Sequence, residues 1–171
     1  MNKFMYLLIA VLMFLIGGCS NNKITFEETV NIGVVGTLEE FRYENVHFES
    51  LGVEDLLLQD DLKNKYSTIM IEDDYFNTVT QIEYIERFES LQIPIVFVDS
   101  TKGYAPFSKP SKNATTKQTY DEYNDHPKKM TVMLTYQLPA ATQGFMVGYP
   151  QDETLSQEDF EKIIERIYSN K

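Results

Sequence analysis

Acidic side chains follow two apolar segments of the sequence at the points where strands are predicted to end. Glu72, Asp73 and Asp74 come directly after one such segment, and Asp99 comes directly after the next. In open α/β sheets ligands bind outside the carboxyl ends of the strands, so two adjacent parallel strands would bring these carboxylates together. Clustered carboxylate oxygens suit Mg²⁺ or Ca²⁺. We therefore take Asp73, Asp74 and Asp99 as candidate metal ligands. The alternative is that Asp73 and Asp74 cap the following helix or are solvated.

This arrangement is similar to that of receiver domains and of phosphatases built on pairs of aspartates. In both families the acidic pair follows the first strand, whereas here the first predicted strand is followed by Gly36 and Thr37. Glycine and threonine at such a turn can present backbone N–H groups to an anion. The segment 33–38 (GVVGTL) lacks the P-loop lysine and the full glycine-rich fingerprint. A tight turn is therefore the alternative explanation for Gly36.

Aromatic and lysine side chains are interleaved along residues 101–129, which show neither helical nor strand periodicity. A connection of this length is uncommon in a compact domain unless it is functional or disordered. Aromatic anchors among adaptable polar side chains can form a recognition surface. Alternatively, these aromatic side chains pack back on the edge of the sheet. We take Tyr104 and Phe107 as candidate binding residues. The interleaved set is Lys102, Tyr104, Phe107, Lys109, Lys112, Lys117, Tyr120 and Tyr123.

The composition excludes several classes of function. The chain has 171 residues and a formal net charge of −11 at pH 7, which argues against nucleic acid as a partner because phosphate binding needs a basic face. The histidines, His47 and His126, form no zinc-binding motif, and no GxSxG motif is present. Cys19 is the single cysteine, so the chain can form no internal disulfide. No cofactor is predicted apart from Mg²⁺ or Ca²⁺ at the acidic cluster, and a binding module is favoured over an enzyme.

The periodicity of the apolar residues predicts a single α/β domain over residues 30–171. Continuous apolar runs are typical of strands that are buried on both faces. The last two strands are close enough in sequence to be antiparallel neighbours, whereas the orientation of the second strand is left open. We therefore predict a layered α/β sandwich with a mixed β-sheet, which has a parallel centre, an antiparallel edge hairpin and flanking helices. The predicted strands are 30–36, 46–51, 66–71, 93–98, 130–136 and 143–149, and the predicted helices are 53–65, 77–91 and one that begins after Ser156.

Two of the predicted helices carry more specific signals. Within 77–91, Glu83 and Arg87 have the i, i+4 spacing of a helical ion pair. In the last helix, Ser156 can act as the N-cap with Asp159 at the third helical position, which is a variant of the capping box. An apolar face that repeats with helical spacing predicts that this helix packs on the sheet. The residues of that face are Phe160, Ile163, Ile164 and Ile167.

The first residues have the pattern of a secretory signal peptide. Lys3 supplies a positive charge, and the apolar run 4–16 would span about 20 Å as a helix, which is too short for a hydrocarbon core of about 30 Å. The run ends in Ile16-Gly17-Gly18-Cys19, which resembles the lipobox of bacterial lipoproteins. That resemblance implies cleavage before Cys19, a lipid on its thiol, and anchoring at the extracytoplasmic face of the cell membrane. Residues 1–18 would be the signal peptide and 19–29 the lipidated cysteine and a spacer. The alternative is a reduced cysteine at the end of a membrane anchor.

A second resemblance is carried by the segment 93–99 (IPIVFVD) and the following segment 102–107 (KGYAPF). These segments resemble small uncharacterised lipoproteins of Bacillus-type bacteria, which implies a location at the membrane and no particular activity. We therefore expect a membrane-tethered module that binds a small molecule or a protein partner outside the cell. The alternative is a divalent-metal-dependent enzyme that acts on an anionic, phosphorylated substrate through the acidic cluster.

Overall fold

Six strands form one mixed sheet in the computed structural model, which describes residues 29–37, 41–108, 119–136 and 143–169. The strands are β1 (Val30–Val35), β2 (Val46–Ser50), β3 (Thr68–Ile71), β4 (Ile95–Ser100), β5 (Lys129–Thr135) and β6 (Gln143–Tyr149). Their order across the sheet is β2-β1-β3-β4-β5-β6. The strands β2, β1, β3 and β4 are parallel, and the hairpin β5–β6 adds to β4 in antiparallel orientation. The predicted mixed α/β sheet is confirmed.

The second strand, whose orientation the sequence left open, runs parallel to β1. The two strands pair from Val30 opposite Val46 to Val34 opposite Ser50. This pairing places β1 between β2 and β3, and every residue of β3 is buried. Burial on both faces explains why β3 is apolar throughout and shows no alternation of apolar and polar residues.

Helices cover both faces of the sheet. They are α1 (Asp55–Leu58), α2 (Leu62–Lys65), α3 (Phe76–Val79), α4 (Ile82–Leu91) and α5 (Gln157–Ser169), with 3₁₀ turns at Asp73–Tyr75, Ala105–Phe107 and Tyr120–Glu122. The helices α1 to α4 pack on one face around a core that includes Ile71 and Phe97. The helix α5 packs on the opposite face against Ile32 and Val96. None of the helices in the described part of the chain is long and apolar enough to cross a membrane.

Two of the predicted helices are each divided in the structure. The predicted helix 53–65 is the pair α1 and α2, and Arg87 donates from its guanidinium to the carbonyl oxygens of Leu56 (2.9 Å) and Gln59 near the end of α1. The predicted pairing of Arg87 with Glu83 stays a prediction. The predicted helix 77–91 is divided between α3 and α4, where the Thr80 hydroxyl donates to a backbone carbonyl of α3 at 2.8 Å. Such local side-chain bonds compete with continuation of a helix.

The segment that follows β4 is packed on the sheet in its described parts. Phe107 is fully buried, and its ring stacks on that of Phe97 with a centroid separation of 3.8 Å. The hydroxyl of Tyr120, which is also buried, accepts a hydrogen bond from the backbone N–H of Thr101 at 2.9 Å. These contacts return the chain to the face covered by α3 and α4. Of the predicted loop, residues 109–118 lie outside the described part of the chain.

The last two strands and the last helix match their predictions closely. The hairpin β5–β6 pairs from Lys129 opposite Tyr149 to Thr135 opposite Gln143. Ser156 caps α5, because its hydroxyl oxygen accepts from the backbone N–H of Asp159 at 3.1 Å and its O–H donates to the Asp159 carboxylate at 2.8 Å. The predicted apolar face is buried against the sheet through Phe160, Ile163, Ile164 and Ile167.

Candidate functional site

The chain crosses to opposite faces of the sheet after β1 and after β3. In the described part of the connection from β1 to β2, Phe41 lies on the face of α5, where its ring stacks on Phe160 at a centroid separation of 4.6 Å. The connection from β3 to β4 lies on the other face and contains α3 and α4. The carboxyl ends of β1 and β3 therefore flank a topological switch point, which is where ligands bind in open α/β sheets.

A cavity of about 130 Å³ lies beside this switch point, at the ends of β3 and β4. Its lining combines acidic residues with apolar ones. The lining residues are Phe41, Glu72, Asp73, Val98, Asp99, Thr154 and Leu155. The combination suits a small molecule with a positive charge on an apolar body, because the charge meets carboxylates and the body meets apolar side chains.

The predicted metal ligands divide between two environments. Asp73 and Asp74 are both exposed in the 3₁₀ turn after β3. Asp73 and Asp99 line this cavity, whereas Asp74 does not. The expected adjacency of β3 and β4 is confirmed by their pairing. Among the described residues, no group of His, Cys, Asp or Glu side chains has the arrangement of a metal site. Binding of Mg²⁺ or Ca²⁺ stays a prediction.

The turn after β1 is fixed by a contact with Glu72. The Glu72 carboxylate accepts a hydrogen bond from the backbone N–H of Thr37 at 2.7 Å. Gly36 has a φ of 127°, and a Cβ at this position would lie 2.8 Å from Cγ of Glu72. Both observations require glycine here, which supports the tight-turn explanation. The amide that an external anion would need is already bonded to a carboxylate of the protein.

Asp99 is held in place by donors from separate elements. It adopts a left-handed backbone conformation (φ 64°) where the pairing of β4 with β5 is interrupted between Phe97 and Ser100. Its carboxylate accepts hydrogen bonds from the hydroxyl of Tyr149 and from the backbone N–H of Leu155, the latter at 3.2 Å. The Lys129 ammonium lies 3.9 Å from its second oxygen. The irregularity in β4 thus directs Asp99 towards the end of β6 and the turn before α5.

Tyr149 connects Asp99 to the interior of the hairpin. Its hydroxyl oxygen lies 2.6 Å from the Thr131 hydroxyl. Burial raises the pKa of Tyr149 above its ordinary value of 10, and the hydrogen bond to the Asp99 carboxylate raises it further. The phenol therefore remains protonated at neutral pH and donates to Asp99, which keeps that side of the carboxylate in one position.

The candidate binding residues Tyr104 and Phe107 differ in exposure. Phe107 has no solvent exposure and belongs to the core, so the packing alternative describes it and its proposal as an exposed binding residue is corrected. Tyr104 is 54% exposed and lines a cavity of about 290 Å³ together with Leu134 and Met146. A binding role for Tyr104 stays a prediction.

A third cavity, of about 350 Å³, lies at the start of α4. Its wall includes Asn77, Gln81 and Tyr123, together with Ser108 and Thr119, which flank the residues outside the described part of the chain. It shares no lining residue with the acidic cavity at the switch point.

Several residues of the acidic cavity escaped the sequence analysis. Phe41 and Thr154 lie in irregular segments, and no local pattern distinguishes them. Tyr149 is separated by 50 positions from Asp99, so their contact depends on the packing of the hairpin against β4. Glu72 stands in the acidic run that the sequence singles out, although it was not taken as a candidate ligand. Searches against protein-family models, curated proteins and solved structures give no match to this chain.

Proposed function

We propose that the chain is a lipoprotein tethered to the outer face of the cell membrane through Cys19. Support comes from the sequence: Lys3, the short apolar run and the motif Ile16-Gly17-Gly18-Cys19 occur in the order of a lipoprotein signal peptide. Cys19 lies outside the described residues. Two acyl chains would anchor the protein firmly, since each buried methylene contributes about 0.8 kcal/mol and one chain alone is marginal.

The α/β domain would act at this location as a binding module for a small organic cation. The observation that carries this proposal is the cavity at the carboxyl ends of β3 and β4, in which Glu72, Asp73 and Asp99 face the same space as Phe41 and Leu155. Its volume is below the range of about 300–1,000 Å³ that is usual for drug-sized ligands. A small primary amine, or the charged end of a larger molecule, fits such a space. The net charge of −11 would raise the local concentration of cations around the domain.

A matched pair of ligands tests the binding proposal. We would measure thermal unfolding of the purified full-length protein in detergent with n-butylammonium chloride, with n-butanol and with sodium chloride at equal ionic strength. Binding to the native state adds about 2.7 kcal/mol at a hundred times Kd, and about 1 kcal/mol raises Tm by roughly 2–8 °C in small domains. We expect n-butylammonium to raise Tm more than n-butanol does, because only the ammonium interacts with the carboxylates.

Two neighbouring aspartates provide the matched variants. Asp73→Asn should remove most of the response to n-butylammonium, because Asp73 lines the cavity. Asp74→Asn removes the same charge one position further on, outside the cavity, and should keep the response. Equal responses in the two variants, or an n-butanol effect as large as that of the amine, would contradict the proposal.

The second candidate function is a divalent-metal-dependent enzyme that acts on an anionic substrate. It is favoured by the convergence of Asp73 and Asp99 on one cavity, as the sequence predicted. The hydrogen bonds that Asp99 already accepts, and the Lys129 ammonium beside it, lower its capacity to bind a cation in either function. A rise in Tm with millimolar Mg²⁺ or Ca²⁺, absent with sodium chloride at matched ionic strength and lost in Asp73→Asn, would move the metal-dependent function to first place.

The tether has its own test. Cys19→Ala should abolish incorporation of an alkyne-labelled palmitate analogue in cells, and globomycin should cause the uncleaved precursor of the unaltered protein to accumulate. If the label still enters the Cys19→Ala variant, the assignment of the lipid to this cysteine is refuted.

A further inference from the structure

The strand β6 forms one edge of the sheet. Among the described residues it pairs on one side only, with β5. The sequence of β6 is QGFMVGY, so it has neither a charged side chain nor a proline. Native proteins usually protect an edge strand with lysine, proline, a bulge or a cover, because the unpaired backbone groups are ready to pair with another strand. Neither protective residue type occurs in β6.

The side chains of β6 make this edge apolar on both faces. Phe145, Val147 and Tyr149 pack with the core on the side of α5. Met146 points to the opposite face, where it is 49% exposed and lines the cavity of about 290 Å³ beside Tyr104. Exposed apolar surface of this kind, next to unpaired backbone, is typical of an interface.

We propose that β6 is the interface of a symmetric dimer, in which two copies of the chain pair their β6 strands in antiparallel orientation about a two-fold axis at Met146. This register places Phe145 opposite Val147 of the second copy, and Gly144 opposite Gly148. Pairs of aromatic and β-branched side chains stabilise antiparallel strands. The sequence of β6 is therefore its own complement, which is what a two-fold interface requires.

The distribution of charge selects this edge and a second copy of the chain as its occupant. Two chains that each carry −11 repel one another, and the repulsion is smallest where the surfaces that meet carry no charge. The strand β2, at the other edge of the sheet, contains Glu49, which accepts a hydrogen bond from the Lys65 ammonium at 2.6 Å. Pairing two β2 strands would bring these charged groups of both copies together. Pairing two β6 strands brings uncharged residues together.

Disulfide formation at the two-fold axis tests the register. We would introduce Met146→Cys into the full-length chain carrying Cys19→Ser, so that the new thiol is the single one, and oxidise it mildly in detergent. Residues that face each other at such an axis have Cβ atoms about 4.5–5.5 Å apart, within reach of a disulfide after a small adjustment. We expect rapid conversion to a covalent dimer. Leu58→Cys in the same background is the control, since Leu58 is 75% exposed and lies on α1. It should remain monomeric on a non-reducing gel.

Sedimentation of the protein without new cysteines provides the second measurement. The unaltered chain should have twice the monomer mass at micromolar concentration, and Met146→Lys should have the monomer mass with an unchanged circular dichroism spectrum. Equal disulfide formation by Met146→Cys and Leu58→Cys would overturn the proposal. A dimer that persists in Met146→Lys would also overturn it. If the unaltered chain is monomeric and Met146→Cys crosslinks in cells to a different protein, the edge receives a foreign strand and the proposal is likewise wrong.

Discussion

Replacing Phe107 by alanine should strongly destabilise the protein, because this residue of the predicted loop belongs to the core. Its ring is fully buried, stacks on Phe97 and contacts the Phe76 ring edgewise at a centroid separation of 4.9 Å. Truncation of a buried Phe to Ala costs about 3–5 kcal/mol. An unfolding entropy of about 2.1 cal/mol/K per residue gives about 0.3 kcal/mol/K for about 140 residues, so a loss of about 4 kcal/mol lowers Tm by about 13 °C.

The assay is thermal unfolding of the full-length protein in detergent, followed by circular dichroism. Tyr104→Ala is the matched control, because it removes an aromatic ring three positions earlier that is largely exposed. We expect its Tm to stay within a few degrees of that of the unaltered protein. If Phe107→Ala melts as close to the unaltered protein as Tyr104→Ala does, Phe107 does not belong to the core and the reasoning is refuted.

Three further predictions concern side chains that join separate elements. Tyr120→Phe should lower the free energy of unfolding by about 1–3 kcal/mol in urea titrations, because the Thr101 amide loses its acceptor while the ring packing remains; an unchanged midpoint would contradict this. Burial raises the pKa of Tyr136 above 10, so the stability linked to its protonated form is complete below about pH 10 and is lost above it. The free energy of unfolding should therefore decrease less between about pH 8 and pH 11 in Tyr136→Phe than in the unaltered protein. Arg87→Ala should speed amide hydrogen exchange in α1 and α2 more than in β3, because Arg87 bonds carbonyl oxygens at the end of α1. Equal protection of α1 and α2 in Arg87→Ala and in the unaltered protein would show that the guanidinium is dispensable there.

Elements whose burial follows from their own sequence could be predicted. The buried run of β3 and the apolar face of α5 are set by short-range patterns, since every position of β3 is buried and the spacing of Phe160, Ile163 and Ile167 fits a helix. The same holds for the cap at Ser156, which involves residues within one helical turn. Few residues connect β5 to β6, so only a few registers were possible for the hairpin.

Features that depend on contacts between distant residues could not be predicted. The carbonyl oxygens at the end of α1 are bonded by Arg87, which lies about thirty positions later in the chain. The helical pattern of 53–65 therefore did not predict the break between α1 and α2. The position of Phe107 depends on Phe97 and Phe76, which meet only when β4 and α3 are in place. At the acidic cavity, the sequence predicted that Asp73 and Asp99 would converge. It offered no signal for Tyr149, whose contact with Asp99 requires the whole hairpin.

The cavity at the start of α4 has a consequence for protein engineering. Ser108 and Thr119 both line it, so these two residues lie close together in space although they are 11 positions apart in the sequence. A connection between such points can be lengthened at small entropic cost, about 0.6 kcal/mol for each doubling of its length. A reporter protein or an affinity epitope inserted between positions 108 and 119 would therefore leave the sheet and its helices in place. It would also label the face of the molecule opposite α5.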